Sequence, residues 1–345
     1  MPARLDARVA YLIAFPYSLS ASRAELAAPS REAQAALTKS APHFQALDVE
    51  IVDLGTTTTT LQGQPIQIRR QLIDGQIQSA ECTYPLVDCL NPASNTVRQA
   101  LNLYLREMVL HEAGYAGPFV EEYTIVCLTE ALAPDEFVDA HRLELAPLLR
   151  GEARAFTPAE AAQILASRAR YADADLTVVD WEGALVIDSD GDFQSEIELL
   201  KLGNYQLVRY RLLDRAIEIN LETVRRELAG RRRFQLGGGA LRETLEKRLE
   251  LLLDFEKSEQ LLLLIGDWYT AQLYRVIVDE FYIDEWKAAV HNKLDLLESV
   301  TDTVRENFSV TWQQFLDLVQ LIGWLLLLLG YFVLFYFDVV GLGKP

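Results

Sequence analysis

Cysteine is scarce in this chain: 345 residues carry Cys82, Cys89 and Cys127 and no others. So small and odd a set excludes the disulfide framework of a secreted scaffold. Without a paired Cys-x-x-Cys it offers no zinc site either. The three read as thiols packed in the core of a protein from a reducing compartment, the alternative being a bridge from Cys82 to Cys89 across a short loop. Histidine is sparse as well, and His43, His111, His141 and His291 stand apart without ligand spacing. His111-Glu112 opens like a zinc-protease helix, but Tyr115 occupies the place of the second ligand. Positive charge is also short: 32 Lys and Arg face 50 Asp and Glu, a net charge of -18. That balance excludes direct DNA binding, and it keeps the soluble part from lying flat on anionic lipid.

Phosphate and calcium loops are missing as well. Gly237 to Gly239 is followed by no Lys-Ser/Thr pair and preceded by no strand. Asp188-Ser-Asp-Gly-Asp192 has its glycine fourth instead of sixth and Leu199 where a bidentate Glu belongs, so it reads as a turn capping the next helix. The sequence therefore assigns no catalytic, cofactor-binding or metal-ligating residue and implies no cofactor. An export leader is not evident: Val9 to Pro16 follows Arg4 and Arg8, but Asp6 interrupts the basic stretch and no A-x-A site follows. Arg8 to Phe15 is instead a first buried strand.

What the chain does have is one long uncharged run, Leu318 to Phe337, with Trp324, the block Leu325 to Leu329, and Gly330 inside it. Twenty residues of helix span about 30 Å, the thickness of a hydrocarbon core. Aromatic rings from Tyr331 to Phe337 crowd one end, where amphipathic rings favour the headgroup region. The expectation is a single-pass anchor in a lipid bilayer at 318–337, with a short tail at 338–345. Arg305 against Lys344 does not decide orientation. With no leader, the soluble bulk is expected on the cytoplasmic side, or facing the matrix from a mitochondrial inner membrane.

Ahead of the run, residues 1–192 read as a soluble α+β domain with a mixed or antiparallel sheet. Ile66 to Ile73 and Gln76 to Tyr84 flank Asp74-Gly75, a strong hairpin signal. Thr56 to Thr60 reads as an edge strand or loop. Ala93 to Glu112 reads as a helix with Val97, Ala100, Leu101, Tyr104, Leu105 and Met108 inward. Glu121 to Thr129 is a strand. Thr157-Pro-Ala-Glu160 is a capping box opening a helix to about Arg168, and Leu176 to Trp181 with Ala184 to Asp188 forms a second hairpin.

Residues 193–316 read as long antiparallel helices, a coiled-coil-like hairpin or stalk. Leu200, Leu207, Tyr210, Ile217, Leu221, Val224 and Leu228 make a first seam. A second stripe, Trp286, Val290, Leu294, Leu297, Val304 and Phe308, leads into the span, where Gly323 and Gly330 share nearly one face. This stripe and these glycines are expected to make a homo-oligomer. Arg225, Arg226, Arg231, Arg232 and Arg233 reverse the acidic balance locally at the hairpin tip. They form either a solvated tip or a docking patch for an acidic protein or ribonucleoprotein partner.

Two segments, Glu198-Leu-Leu-Lys-Leu-Gly-Asn-Tyr-Gln-Leu-Val-Arg-Tyr-Arg-Leu-Leu-Asp214 and Gly266-Asp-Trp-Tyr-Thr-Ala-Gln-Leu-Tyr-Arg275, resemble the YagE-type family, which includes mitochondrial proteins named for a requirement in meiotic nuclear division. The resemblance runs from Leu176 to Phe337, through Trp286 and Lys293-Leu294, and the residues before Leu176 lie outside it. It implies a C-terminal membrane anchor, homo-oligomers and support of organellar translation, and it brings no catalytic residues. The expected function is a non-enzymatic, membrane-anchored oligomeric scaffold holding a partner complex. An ion-conducting oligomer and an enzyme seated in the N-terminal domain are the alternatives.

Overall fold

Ala7–Pro16 forms strand β1, whose run of apolar residues does not alternate because both of its faces are covered. Val9, Tyr11, Ile13 and Phe15 enter the core on one side, while Ala10, Leu12 and Ala14 are equally buried on the other. The computed structural model describes residues 5–17, 51–61, 63–129, 133–230 and 268–341, with single positions at 246, 249, 252, 253 and 255. Around β1 lie β2 (Ile51–Leu61), β3 (Gln64–Ile73), β4 (Ile77–Leu86), β5 (Glu121–Leu128), β6 (Arg168–Ala169), β7 (Asp175–Val179) and β8 (Gly183–Asp188). They make one eight-stranded sheet in the order β2-β3-β4-β1-β5-β8-β7-β6. Among the described residues only β5 and β8 run parallel, so the sheet is mixed as the sequence implies. The β3–β4 hairpin turns at Asp74 and Gly75, both at positive φ (52° and 66°), the geometry of a type I′ turn.

Helices α1 (Pro92–Glu112), α2 (Pro134–Ala140), α3 (Arg142–Arg150) and α4 (Pro158–Ile164) cover one face of the sheet. Asn91 caps α1 by accepting from the Ala93 amide, and Pro92 fills the first turn. Both halves of the Thr157/Glu160 capping box form. Two expectations need correcting here. Helix α4 ends at Ile164 and not near Arg168, because Arg168 is drawn into β6 and reaches Asp135 and Asp139. On α1, Val97, Ala100 and Tyr104 are exposed and Met108 is half-buried, whereas Asn95, Arg98, Leu101, Asn102, Leu105 and Val109 face inward. Polar partners waiting below the helix account for this.

The other face carries α5 (Gln194–Gly230), α6 (Trp268–Glu280) and the start of α7 (Ile283–Gly341). Every residue of α5 from 199 to 210 except Leu202 is buried. Lys201 Nζ donates to Glu81 Oε2 at 2.7 Å, to Glu198 Oε1 at 3.0 Å and to Gln71 Oε1 at 3.4 Å. One and two turns on, Tyr205 and Arg209 both donate to Asp74 Oδ2, at 2.6 and 2.9 Å. Gly203 explains the glycine in the quoted helical motif: a Cβ there would sit 2.5 Å from Ile277 Cγ2 and 3.2 Å from the Phe281 ring. Tyr274 donates to Gln206 and Tyr269 to Glu196, tying α6 to α5.

The chain divides into two compact units, residues 1–214 with 255–290, and residues 215–254 with 291–345, a division that cuts through α5 and α7. In the second unit Lys293 donates to Glu218 at 2.9 Å, and Ile217, Leu294 and Leu297 are buried. Helix α7 is unbroken for 59 residues and ends in the apolar segment Leu316–Tyr336, none of it buried.

Replacing Lys201 by Met keeps the buried stem but leaves the Glu81 carboxylate without its cation. The expected loss is about 3 kcal/mol, read as a lower denaturation midpoint. Burial pushes the Lys201 pKa down, but the Glu198 and Glu81 carboxylates outweigh it and hold the ammonium above the ordinary lysine value. A raised folded-state value means the contribution is complete below about pH 10 and disappears as pH rises through the folded-state pKa. The wild-type advantage over Lys201→Met should therefore stay constant from about pH 7 to 9 and shrink only in stronger alkali. Equal midpoints for the two proteins at neutral pH would remove this ion pair from the account.

Candidate functional site

The polar residues of α1 recur at helical spacing and bind its neighbours. Arg98, 2% exposed, donates from Nε and Nη2 to Asn95 Oδ1, from Nη1 to Thr124 Oγ1 at 3.3 Å, and from Nη2 to the Leu148 carbonyl at 3.0 Å. Asn95 reaches the Pro147 and Glu152 carbonyls, at 3.1 and 3.3 Å. Leu148 lies in the last turn of α3, where carbonyls lack helical partners and the dipole is negative, so a cation is well placed there. Asn102 joins Tyr84 to Thr124, and beside it Glu122 accepts from Tyr11 and Arg106. Burial lowers the Arg98 pKa, yet a guanidinium stays charged at any physiological pH. These groups are saturated by one another, so the cluster fastens α1 to β5 and α3.

An open groove of about 820 Å³ lies on the sheet face that carries α5, at the end where that helix begins. Thr58, Gln67 and Thr83 form one cross-strand row over β2, β3 and β4 that meets β1 at Ala10, and Arg8 lies on the same face two residues along β1. Thr129 and Phe193 close the side at the carboxyl end of β5, a position at which open sheets commonly collect ligands. Hydroxyls, an amide and a guanidinium can hold a polar ligand by hydrogen bonds. They do not set up a nucleophile: burial pushes the neighbouring Cys127 thiol up to about 12. Among the described residues, no three His, Cys, Asp or Glu side chains converge as metal ligands.

Leu318, Trp324, Leu325 and Leu329 are exposed on the apolar helix, where Gly323 and Gly330 meet no heavy atom within 4 Å of an added Cβ. Phe337 continues the same helix, and its side chain lies outside the described residues. Val290, Leu294 and Leu297 are buried within the single chain and Trp286 is half-buried, while the Val304 and Phe308 side chains also lie outside the description. Arg225 and Arg226 are exposed and both engage Glu222, holding its carboxyl at about 2. Arg231, Arg232 and Arg233 lie outside the described residues.

Sequence reading missed the polar networks and the groove. The networks had a signal: Asn95, Arg98 and Asn102, like Lys201, Tyr205 and Arg209, keep helical spacing, in polar residues where an apolar stripe is usually sought. The groove had none, because cross-strand neighbours are far apart in sequence.

Fold and site together define an α+β protein with helices on both faces of a mixed sheet and an apolar C-terminal helix long enough to cross a bilayer. Residues 6–194 match the family described as the N-terminal domain of uncharacterized protein MJ0711, and the chain belongs to that family. It is 24% identical over 194 residues to the uncharacterized protein MJ0711 of Methanocaldococcus jannaschii, a match covering 56% of this chain and 60% of the relative. The aligned region thus spans less than two thirds of that relative's length. No solved structure matches. The family match falls on the sheet, the part of the chain largely outside the YagE-type resemblance.

All three cysteines are free and at most 2% exposed, with thiols pushed up to about 12 chiefly by burial. Maleimide at neutral pH should leave the native protein unlabelled and modify three thiols after denaturation. Rapid native labelling of any one would place that cysteine at the surface.

Proposed function

We propose that the protein is a non-enzymatic, membrane-anchored oligomeric scaffold that holds a partner complex at the bilayer. The observation that carries the reading is the continuity of α7, which begins among the buried residues of the first unit and ends in the 21-residue, predominantly apolar segment Leu316–Tyr336, covered by none of the described residues. An exposed apolar surface of that extent is not tolerated in water, and a hydrocarbon core is the solvent it fits. The acidic balance leaves this helix as the means of attachment. The resemblance of the helical half to the YagE-type family supports the same outline, with the soluble bulk on the cytoplasmic or matrix side. In this reading Arg231 to Arg233 receive an acidic protein or ribonucleoprotein, since Arg225 and Arg226 are already engaged by Glu222.

The groove beside Arg8 favours a second reading, in which the first unit binds a small polar ligand and acts on it. Turnover against a broad substrate panel distinguishes the two.

Deleting Leu318 to Pro345 is expected to move the protein into the soluble fraction. A truncated chain that still pellets and resists alkaline extraction would end the single-anchor reading. Protease added on the cytoplasmic or matrix side should digest the large domain, and protease on the opposite side should remove at most the tail. Protection of the domain from the first treatment would reverse the orientation.

A further inference from the structure

Strand β2 closes the sheet on one side, and among the described residues its outer edge pairs with no strand. Long sheet edges in water are ordinarily guarded by Lys, Pro, bulges or short length, because their free N–H and C=O groups template pairing with another chain. Here the strand is 11 residues long and the guards sit at one end. A bulge falls between Asp53 and Gly55, where Asp53 Oδ1 accepts from the Gly55 amide at 2.8 Å, and Arg69 lies 3.5 Å from the same carboxylate. Past the bulge, residues 55–61 pair regularly with β3 and contain no charged residue and no proline. Five consecutive threonines, Thr56 to Thr60, fill this stretch with β-branched side chains suited to a sheet, and all but Thr59 are exposed.

We propose that this edge is a self-association seam, along which two copies of the chain pair antiparallel about Thr58 and extend the sheet through both molecules. Charge selects the occupant. Two chains of net charge -18 repel over most of their surfaces, and β2 beyond Asp53 is a stretch where a second copy meets no like charge. Residues 55–61 offer a basic partner no carboxylate of their own, and the carboxylate alongside, Glu112, is already paired with Arg70, which donates to Thr57 at 2.8 Å. An identical neutral strand finds complementary backbone groups and its own threonines, with Thr56 opposite Thr60 and Thr57 opposite Thr59. A two-fold axis at Thr58 makes the contact closed, so pairing stops at two copies. The inference deepens the oligomeric part of the proposed function by assigning it a surface in the first unit.

The test uses the full-length protein in mild detergent and in membranes. Directly opposed residues of an antiparallel pair have Cα atoms about 4.5 to 5.5 Å apart, within disulfide range. Thr58→Cys should therefore give a covalent dimer under mild oxidation, while Leu103→Cys on the exposed face of α1 should not. The native thiols are buried and do not contribute. Thr58→Lys, a guarding charge placed opposite its own copy, should halve the mass measured by light scattering without changing the thermal midpoint. If Thr58→Cys stays unlinked while the wild type remains oligomeric, the seam is refuted and association belongs to another surface such as the Gly323/Gly330 face. The same holds if Thr58→Cys resists maleimide because residues 18–50 of the same chain occupy the edge. A wild type that is monomeric across a wide concentration range refutes both the seam and the oligomeric scaffold.

Discussion

An ammonium group sealed beneath α5 fixes the arrangement of one whole side of the sheet. Lys201 is 5% exposed, and an unpaired cation there would cost several kcal/mol, a large share of what folding supplies, so the helix docks where Glu81 and Glu198 can meet it. Glu81 belongs to β4 and Gln71 to β3, which ties the helix to the hairpin's register. A one-residue slip of β4 would send Glu81 to the opposite face and strand the charge. Asp74 at the turn then receives Tyr205 and Arg209, so the hairpin is held at its tip as well as in its middle. Apolar burial supplies most of the favourable free energy of the docking, and these ionic contacts select which docking occurs.

The opposite face is fastened by the same kind of device with different chemistry. Arg98 carries the buried charge there, and its partners are an asparagine, a threonine hydroxyl and a helix-end carbonyl instead of carboxylates. A guanidinium spreads its charge over five donors and is more weakly hydrated than an ammonium, so neutral acceptors suffice for it. Helix α5 begins only at Gln194, past the Asp188 turn, and leaves the adjoining end of the sheet uncovered. The groove is therefore a consequence of where the helix starts. The polar row Thr58, Gln67 and Thr83 is tolerated on the sheet because it faces that opening.

Local and compositional features were legible in the sequence. The non-alternating β1, the Asp74-Gly75 turn, the Thr157 capping box and the run of α7 into an apolar segment each rest on neighbours within a few residues. Apolar spacing points to the wrong α1 face, because Val97 and Tyr104 fit that spacing while the partners that bury Arg98 come from 26 and 50 residues away. Strand order is non-local for the same reason: β1 sits between β4 and β5, and β5 meets β8 in parallel only after three helices and two strands intervene. The threonine run was readable as an edge, but its full length depended on a bulge that only the ladder with β3 reveals.

The threonine edge and the apolar helix become related once association is considered as a matter of concentration. A seam built from backbone groups and hydroxyls is weak on its own, since each hydrogen bond replaces one already made to water. Copies dissolved at low concentration would rarely occupy it. Copies held in one bilayer by their C-terminal helices would meet at a much higher effective concentration, and a contact too weak in dilute solution would then form. The acidity of the chain works in the same direction by disfavouring other encounters between identical surfaces. An edge left unguarded would invite aggregation in a freely diffusing protein. In a tethered one, a neutral stretch bounded by Asp53 would confine such pairing to residues 55–61.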